Sequence, residues 1–224
     1  MARILITGAN RGIGRALAAE LSERGHSVIG TSRRPLDDDD AVPGIRRLPL
    51  DVTDRRSLEA AADALADEPL DILVNNAGIF GPRGAGLGRI DDAAWHEVVA
   101  TNVIGAYRVS EAFLPHLRRG AGRKLVTISS RMGSIGANTS GGEYIYRSSK
   151  AAVNAVMRSL AIDLEAENIT VAVLHPGWVR TAMGGQSASL DVATSAAGLA
   201  DVILGLTPAQ SGGFFNYDGT ALVW

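Results

Sequence analysis

The sequence predicts a single α/β domain built around a parallel sheet. The chain has 224 residues, of which 46% are hydrophobic and 5% aromatic, enough to bury one full core. Short apolar runs alternate with longer amphipathic stretches, as in successive β-α-β units. The runs RILIT (3–7) and DILVN (71–75) are almost continuously hydrophobic, which is typical of parallel strands covered on both faces.

The alternation predicts the elements in chain order. Strands are expected at 3–7, 27–31, 45–49, 71–75, 124–129, 170–175 and 213–216. Helices are expected at 12–24, 54–67, 92–118, 144–167 and 191–204. No internal repeat or interdomain linker interrupts this order, so we expect 1–224 to form one domain. The acidic run Asp37–Asp40 is interpreted as a solvated loop.

Composition argues against several classes of function. The 22 basic residues against 24 acidic ones give a net charge of −2, so we expect no nucleic-acid partner. The absence of cysteine excludes disulfides, thiolate zinc sites and a cysteine nucleophile, and the four histidines lack metal-ligand spacing. No signal peptide precedes the first predicted strand and no apolar run reaches membrane-spanning length. We therefore expect a cytoplasmic protein without a metal or membrane partner.

A glycine-rich segment, ITGANRGIGRAL (6–17), joins the first predicted strand to the first predicted helix. Gly8, Gly12 and Gly14 permit a tight turn and let backbone N–H groups and the helix N-terminus approach a pyrophosphate. The spacing is G-x-x-x-G-x-G rather than the commoner G-x-G-x-x-G, and an ordinary strand-to-helix turn is the alternative. Three glycines at this junction favour dinucleotide binding.

The end of the second predicted strand indicates which dinucleotide is bound. NAD-binding folds usually carry an acidic residue there for the ribose 2′-hydroxyl. This chain has Ser32, Arg33 and Arg34 instead, and Arg11 lies in the glycine loop. A guanidinium can bind a 2′-phosphate through two charge-assisted hydrogen bonds. The pattern favours NADP(H), with surface arginines as the alternative.

The segment YIYRSSK (144–150) pairs a phenol with an ammonium. Tyr146 has Lys150 one helical turn downstream on the same face, whereas Tyr144 has no cation at that spacing. An ammonium about 4 Å away, at an effective dielectric near 20, would stabilise phenolate by up to roughly 4 kcal/mol. We therefore expect Tyr146 to be the general acid/base with its pKa lowered toward neutrality, and Tyr144 to line a substrate pocket or pack. A solvated helix face is the alternative.

Two further polar residues are candidates for the same site. Ser129 and Ser130 end the fifth predicted strand, where alternation points them to opposite faces. Ser130 is favoured to hydrogen-bond a substrate oxygen, with Ser129 as its rival. Asn102 lies on an otherwise apolar face of the helix predicted at 92–118. A buried amide needs hydrogen-bond partners, and for this residue alone a structural role is the better interpretation.

Segments in one fixed order along the whole chain resemble the short-chain dehydrogenase/reductase family. They are TGANRGIG (7–14), DV (51–52), NNAG (75–78), Asn102, ISS (128–130), YRSSK (146–150) and HPGWVRT (175–181). The stretches 129–154 and 174–192 are similar to its carbonyl-reductase branch, which includes sniffer and bacterial C-factor-like proteins. The resemblance implies a Rossmann-type, doubly wound sheet of about seven parallel strands with helices on both faces. It also implies NADPH-dependent hydride transfer between a nicotinamide cofactor and an aldehyde, ketone or quinone.

The resemblance also implies roles for single residues. The family's Asn–Ser–Tyr–Lys set maps onto Asn102, Ser130, Tyr146 and Lys150, with Asn102 holding a water in a proton relay to Lys150. The residues implied in cofactor binding are Gly8, Asn10, Arg11, Gly12, Ile13, Gly14, Ser32, Arg33, Asp51, Val52, Asn75, Ala77, Gly78, Tyr146, Lys150, Pro176, Gly177, Val179 and Thr181. Asn75 and Gly78 would lie beside a ribose, and Pro176 and Gly177 beside the nicotinamide. For each of these four, a plain turn residue is the alternative.

Some features leave the function open. Ser130 lies sixteen residues before Tyr146, more than is usual in the family, so the connection 131–143 is long. The C-factor-like resemblance leaves a dinucleotide-binding signalling or regulatory protein as the alternative to a reductase. A sugar-nucleotide epimerase or dehydratase would need a longer C-terminal substrate domain. The helix predicted at 144–167 is apolar on more than one face, from which we expect a homodimer.

Overall fold

The structure is a computed structural model that describes residues 1–33, 42–84 and 86–224, so Arg34 and the run Asp37–Asp40 lie outside the described residues. One parallel sheet of seven strands forms its centre. The strands are β1 (Arg3–Ile6), β2 (Ser27–Ser32), β3 (Arg46–Pro49), β4 (Ile72–Asn75), β5 (Lys124–Ile128), β6 (Thr170–His175) and β7 (Gly213–Asn216). Their spatial order is β3-β2-β1-β4-β5-β6-β7, which confirms the predicted Rossmann-type α/β sheet. The order reverses between β1 and β4, where sheets of this kind bind ligands beyond the strands' carboxyl ends.

The helices flank the sheet; those predicted at 54–67 and 144–167 end four residues earlier, at Asp63 and Asp163, and one predicted helix is divided. They are α1 (Gly12–Glu23), α2 (Arg55–Asp63), α3 (Asp92–Val99), α4 (Ala106–Arg119), α5 (Tyr144–Asp163) and α6 (Val192–Gly205). The helix predicted at 92–118 is divided, because the π-helical segment Ala100–Gly105 separates α3 from α4. Asn102 lies in this segment, and π-helical turns often occur at functional sites.

Two hydrophobic cores lie on opposite faces of the sheet. Side chains alternate along β1, so Leu5 faces one core while Ile4 and Ile6 face the other. The first core is closed by α2, α4 and α5, with Phe113 fully buried in it. The second is closed by α1 and α6, where Leu17 is fully buried. This double covering explains why the central strands read as continuous apolar runs.

Candidate active site

The glycine loop packs directly on the end of β4. A Cβ atom at Gly14 would lie 2.3 Å from Nδ2 of Asn76 and 2.4 Å from the carbonyl oxygen of Gly8. Gly8 has a positive φ of 67°, and a Cβ there would lie 3.0 Å from the Cα of Ala77. Side chains at these two positions would push the loop off the strand, so the close approach requires glycine.

Thr7 and Asn76 hold this loop through their side chains, a role that sequence reasoning missed. Oγ1 of Thr7 accepts hydrogen bonds from the backbone N–H groups of Asn76 and Ala77, both at 3.0 Å. Nδ2 of Asn76 donates to the carbonyl oxygens of Thr7 (2.8 Å) and Gly8 (3.1 Å). In the sequence, this role could have been inferred from the polar residues that directly follow two strands, Thr7 after β1 and Asn76 after β4.

The N-terminus of α1 fits an anionic ligand. Its N-cap residue, Arg11, has extended backbone and makes no side-chain capping bond, and the first turn carries no acidic residue. By contrast, the aspartates Asp54, Asp91 and Asp191 cap α2, α3 and α6. Because the uncapped end carries a partial positive charge and free N–H donors, the residues here fit the pyrophosphate of a dinucleotide. Asn10 and Ile13 flank the same turn and are half-buried.

The end of β2 lies beside the turn that follows β3. Arg33 is exposed and Ser32 is half-buried. Oδ1 of Asp51 accepts hydrogen bonds from the N–H (2.9 Å) and the hydroxyl (2.7 Å) of Thr53. Burial acts to raise the pKa of Asp51, but these hydrogen bonds and the charge of Arg33 outweigh it, so the pKa is lowered. Val52, next to Asp51, is buried.

The connection after β6 approaches the glycine loop from the other side. A Cβ at Gly12 would lie 3.7 Å from Cγ2 of Thr181. The carbonyl oxygen of Pro176 accepts a 2.6 Å hydrogen bond from Ser195 on α6, and Val179 is buried in a bridge to Leu190. A Cβ at Gly177 would lie 2.6 Å from Cδ2 of Leu190. These contacts fix the backbone facing the N-terminus of α1.

Asn75 and Gly78 differ in where they lie at the end of β4. The side chain of Asn75 is buried, and its Nδ2 donates to the carbonyl oxygen of Ala106 (3.2 Å) and to Oγ of Ser110 (2.9 Å). Its amide therefore braces α4 from inside the fold, and the predicted position of Asn75 beside a ribose stays a prediction. A Cβ at Gly78 would lie 3.1 Å from Oδ1 of Asn102 and 3.7 Å from Nζ of Lys150, so Gly78 lies within the site.

Tyr146, Ser130 and Lys150 meet at the carboxyl edge of the sheet. Tyr146 is 8% exposed, and its hydroxyl is hydrogen-bonded to Ser130. Burial raises the pKa of Tyr146 to about 12, although the Ser130 hydrogen bond and the charge of Arg83 act to lower it. The expected lowering toward neutrality is therefore wrong for the protein alone, because desolvation of the phenolate is the larger effect.

Lys150 is buried behind the phenol. Its Nζ lies 5.7 Å from the ring centroid of Tyr146 and donates a 3.0 Å hydrogen bond to the carbonyl oxygen of Ile128. Burial lowers the pKa of Lys150 to about 8. Near neutral pH the site thus holds a protonated phenol and a mostly charged ammonium, an arrangement suited to donating a proton.

The two serines after β5 point in opposite directions, as alternation predicts. Oγ of Ser130 accepts from the backbone N–H of Met132 (3.1 Å), and the same hydroxyl group bonds to Tyr146. Oγ of Ser129 instead donates to Oδ1 of Asn154 at 2.6 Å inside the core. The geometry therefore brings Ser130 into the candidate site, whereas Ser129 is buried away from it against Asn154.

Asn102 connects three parts of the site. Its Oδ1 accepts from the N–H of Ile79 (2.9 Å), and its Nδ2 donates to the carbonyl oxygen of Ile79 (2.9 Å) and to Oγ of Ser149 (3.0 Å). The side chain is buried and joins the segment after β4 to α5, next to Lys150. Both N–H donors of the amide are thus used within the fold, and the water relay to Lys150 stays a prediction.

Phe80 covers the phenol and Arg83 lies over Phe80, and sequence reasoning missed both residues. The ring of Phe80 stacks on Tyr146 with 4.3 Å between centroids, and the guanidinium of Arg83 lies 4.4 Å from the Phe80 centroid. Arg83 also donates a hydrogen bond to the carbonyl oxygen of Met183, in the connection after β6. Tyr144 is 41% exposed beside this region. The aromatic residue just after the NNAG segment was the signal that could have indicated this cover.

His175 makes stability dependent on pH. It ends β6, and its Nδ1 is buried with no hydrogen-bond partner in the described part of the chain. Burial, aided by the charge of Arg131, lowers the pKa of His175 from 6.5 to about 4. Between those values the unfolded chain takes up a proton that the folded protein does not.

We expect this linkage to remove up to about 3 kcal/mol from the free energy of unfolding as pH falls from 6.5 to 4. Denaturant unfolding across that range measures the loss, and His175→Asn should show a shallower slope than the unchanged protein. His26, whose pKa is also lowered by burial, contributes in both proteins and cancels in the comparison. Equal slopes would contradict the role given to His175.

Within the residues that the structure describes, no helix is long and apolar enough to span a bilayer, and no cluster of three or more His, Cys, Asp or Glu side chains suited to a metal ion is found.

Comparison with known proteins shows the family of this chain. Residues 2–190 match the family model described as short chain dehydrogenase. The chain is 46% identical over 167 residues to C-signal of Myxococcus xanthus, covering 75% of this chain and 100% of that protein. Carbonyl reductase Sniffer of D. melanogaster has a TM-score of 0.93 at 36% identity, over 100% of both chains. The NADPH-bound carbonyl reductase from chicken fatty liver has a TM-score of 0.91 at 32% identity, over 100% of this chain and 99% of that one.

The glycine loop at the β1–α1 junction, the Ser130–Tyr146–Lys150 cluster and these likenesses lead to one conclusion. The chain belongs to the short-chain dehydrogenase/reductase family of oxidoreductases, close to the branch that contains sniffer and C-factor proteins.

Proposed function

We propose that this protein is an NADPH-dependent carbonyl reductase that acts on an aldehyde, ketone or quinone. The observation that carries the proposal is the buried Tyr146 phenol, hydrogen-bonded to Ser130, with Lys150 behind it. A phenol with a pKa of about 12 is protonated at neutral pH, which is the form that reduction requires. The carbonyl-reductase neighbours support the same class of reaction.

The residues of the site have separate roles in this proposal. When bound, the nicotinamide cofactor would supply hydride for the carbonyl carbon. Ser130 donates a hydrogen bond to the carbonyl oxygen as negative charge develops there, and Tyr146 delivers its proton to that oxygen. An alkoxide is a stronger base than a phenolate, so this transfer is favourable even with the raised pKa. Lys150 stabilises the phenolate that is left, and its charge is retained up to a pH of about 8.

The cofactor would lie across the carboxyl ends of β1 and β4. Its phosphates would accept hydrogen bonds from the N-terminus of α1, held between Gly8 and Gly14. Arg33 and Arg11, both exposed near the ribose end, would bind a 2′-phosphate. The NADPH bound to the chicken carbonyl reductase supports this choice of dinucleotide.

A carbonyl screen tests the proposal. Oxidation of NADPH is followed with aldehydes, ketones and quinones, in parallel with NADH. Turnover that requires NADPH supports a reductase. The likeness to C-signal favours the alternative, a signalling or regulatory protein that binds dinucleotide. Calorimetric binding of NADPH without turnover of any carbonyl would favour that alternative.

We also propose that the protein forms a homodimer. The large apolar side chains exposed on the segment that joins α3 to α4, on α4 itself and on α5 include Ile104 (42%), Tyr107 (42%) and Ile162 (59%). Such residues favour cover by a second surface. Light scattering at micromolar concentration should give about twice the 23.4 kDa mass of the chain, and a mass near 23.4 kDa would contradict the proposal.

A further inference from the structure

Glu143 and Arg147, two charged residues close to Tyr146 in the chain, make local hydrogen bonds. Oε1 of Glu143 accepts a hydrogen bond from the N–H of Gly84 at 3.3 Å. The guanidinium of Arg147 donates to the carbonyl oxygen of Met132 (3.4 Å) and to Oγ of Ser140 (2.8 Å). These two side chains therefore hold the connections around the site rather than face a ligand.

Arg83 differs from these two side chains in its electrostatic surroundings. It is exposed, and no carboxylate among the described residues lies within ion-pair distance of it. Within the described part of the chain, Arg83 donates a hydrogen bond to the carbonyl oxygen of Met183, a neutral acceptor that does not offset its charge. A guanidinium in this state attracts a carboxylate and can bind it through two parallel hydrogen bonds.

The position of Arg83 relates this charge to the reaction. Its guanidinium lies 4.4 Å from the Phe80 ring, and that ring stacks 4.3 Å from the proton-donating Tyr146. A substrate whose carbonyl oxygen meets Tyr146 would extend past Phe80 toward Arg83. A carboxylate about one aromatic ring away from the reacting carbonyl would then meet the guanidinium.

We infer that Arg83 determines substrate specificity by binding a carboxylate, so that the protein prefers carbonyl compounds carrying a carboxylate to neutral ones. This inference rests on the proposed carbonyl reductase function. Phe80 lies between the phenol and the guanidinium, so a substrate would pass the edge of its ring. Arg131 directly follows Ser130, and its charge helps to lower the pKa of His175 at the end of β6. It therefore adds positive charge at the carboxyl edge of the sheet.

The test uses a matched pair of substrates, 4-carboxybenzaldehyde and its methyl ester, with NADPH. The unchanged protein should have a kcat/KM several-fold higher for the acid, with an advantage that shrinks as salt is added. Arg83→Gln should lower kcat/KM for the acid about five- to tenfold, mainly through KM, and lower that for the ester by much less. Arg83→Lys keeps the charge and should keep most of the preference.

Arg89→Gln is the control, because it removes the same charge from an exposed residue further along the same connection. Arg89→Gln should leave kcat/KM unchanged for both the acid and the ester. A second measurement does not need turnover: calorimetric binding of 4-(hydroxymethyl)benzoate should weaken in Arg83→Gln by the factor seen in KM.

Two results would overturn the inference. Equal losses for acid and ester in Arg83→Gln would mean that the residue only holds the connection after β6 through Met183. Equal activity of the unchanged protein on acid and ester would remove the preference itself. Binding of 4-(hydroxymethyl)benzoate that depends on Arg83, without reduction of any carbonyl in the screen, would support the anion site and contradict the proposed reductase instead.

Discussion

Replacing Tyr146 by phenylalanine should lower kcat for carbonyl reduction by a factor of about 10² or more, the scale of general acid catalysis. The change removes one hydroxyl, and with it the proton donor and the hydrogen bond to Ser130. The ring and its stacking on Phe80 remain, so the fold should be preserved. Steady-state kinetics with a carbonyl from the screen measures the loss, and titration of NADPH fluorescence should show nearly unchanged cofactor affinity.

Tyr144→Phe is the matched control for this prediction. It removes the same atom from the same helix, at a residue that is 41% exposed and lacks a cation one turn downstream. Its kcat should stay close to that of the unchanged protein. Normal turnover in Tyr146→Phe, or an equal loss in both variants, would exclude Tyr146 as the acid.

Replacing Arg33 by alanine should weaken the use of NADPH by roughly ten- to a hundredfold in kcat/KM. Loss of a charge-assisted contact costs about 1.5–3 kcal/mol, toward the lower end here because Arg33 is exposed and therefore screened. Use of NADH should hardly change, since it has no 2′-phosphate. Ser32→Asp combined with Arg33→Ala should lower kcat/KM for NADPH further, because the new carboxylate repels the 2′-phosphate. The same carboxylate can accept a hydrogen bond from the free 2′-hydroxyl of NADH.

Both cofactors are measured at one fixed ionic strength. Arg89→Ala serves as the control for loss of an exposed arginine and should not alter the NADPH/NADH ratio. If Arg33→Ala weakens both cofactors equally, or if the unchanged protein uses NADH as well as NADPH, Arg33 is a surface residue and the preference has another origin.

The sequence determined the architecture because the required patterns are local. Seven apolar runs separated by amphipathic stretches correspond to seven parallel strands, since strands covered on both faces need hydrophobic residues on both. The glycines of the β1–α1 connection could also be interpreted from the sequence, because only glycine permits the close contact with Asn76 and Ala77. The helical spacing of Tyr146 and Lys150 also placed both on one face of α5.

The chemical state of the site was decided by the tertiary structure alone. Spacing suggested that Lys150 lowers the pKa of Tyr146, yet burial beneath Phe80 raises it to about 12. Desolvation of the Tyr146 hydroxyl depends on the residues that cover it, and Phe80 lies more than sixty residues away from Tyr146 in the chain. The division of the long helix at Asn102 could not be predicted from the sequence either. The Asn102 amide forms its hydrogen bonds to Ile79 and Ser149 only once β4 and α5 are assembled. Local sequence thus fixes which residues can form strands, turns and helix faces, while charge states and long-range hydrogen bonds follow from packing between distant segments.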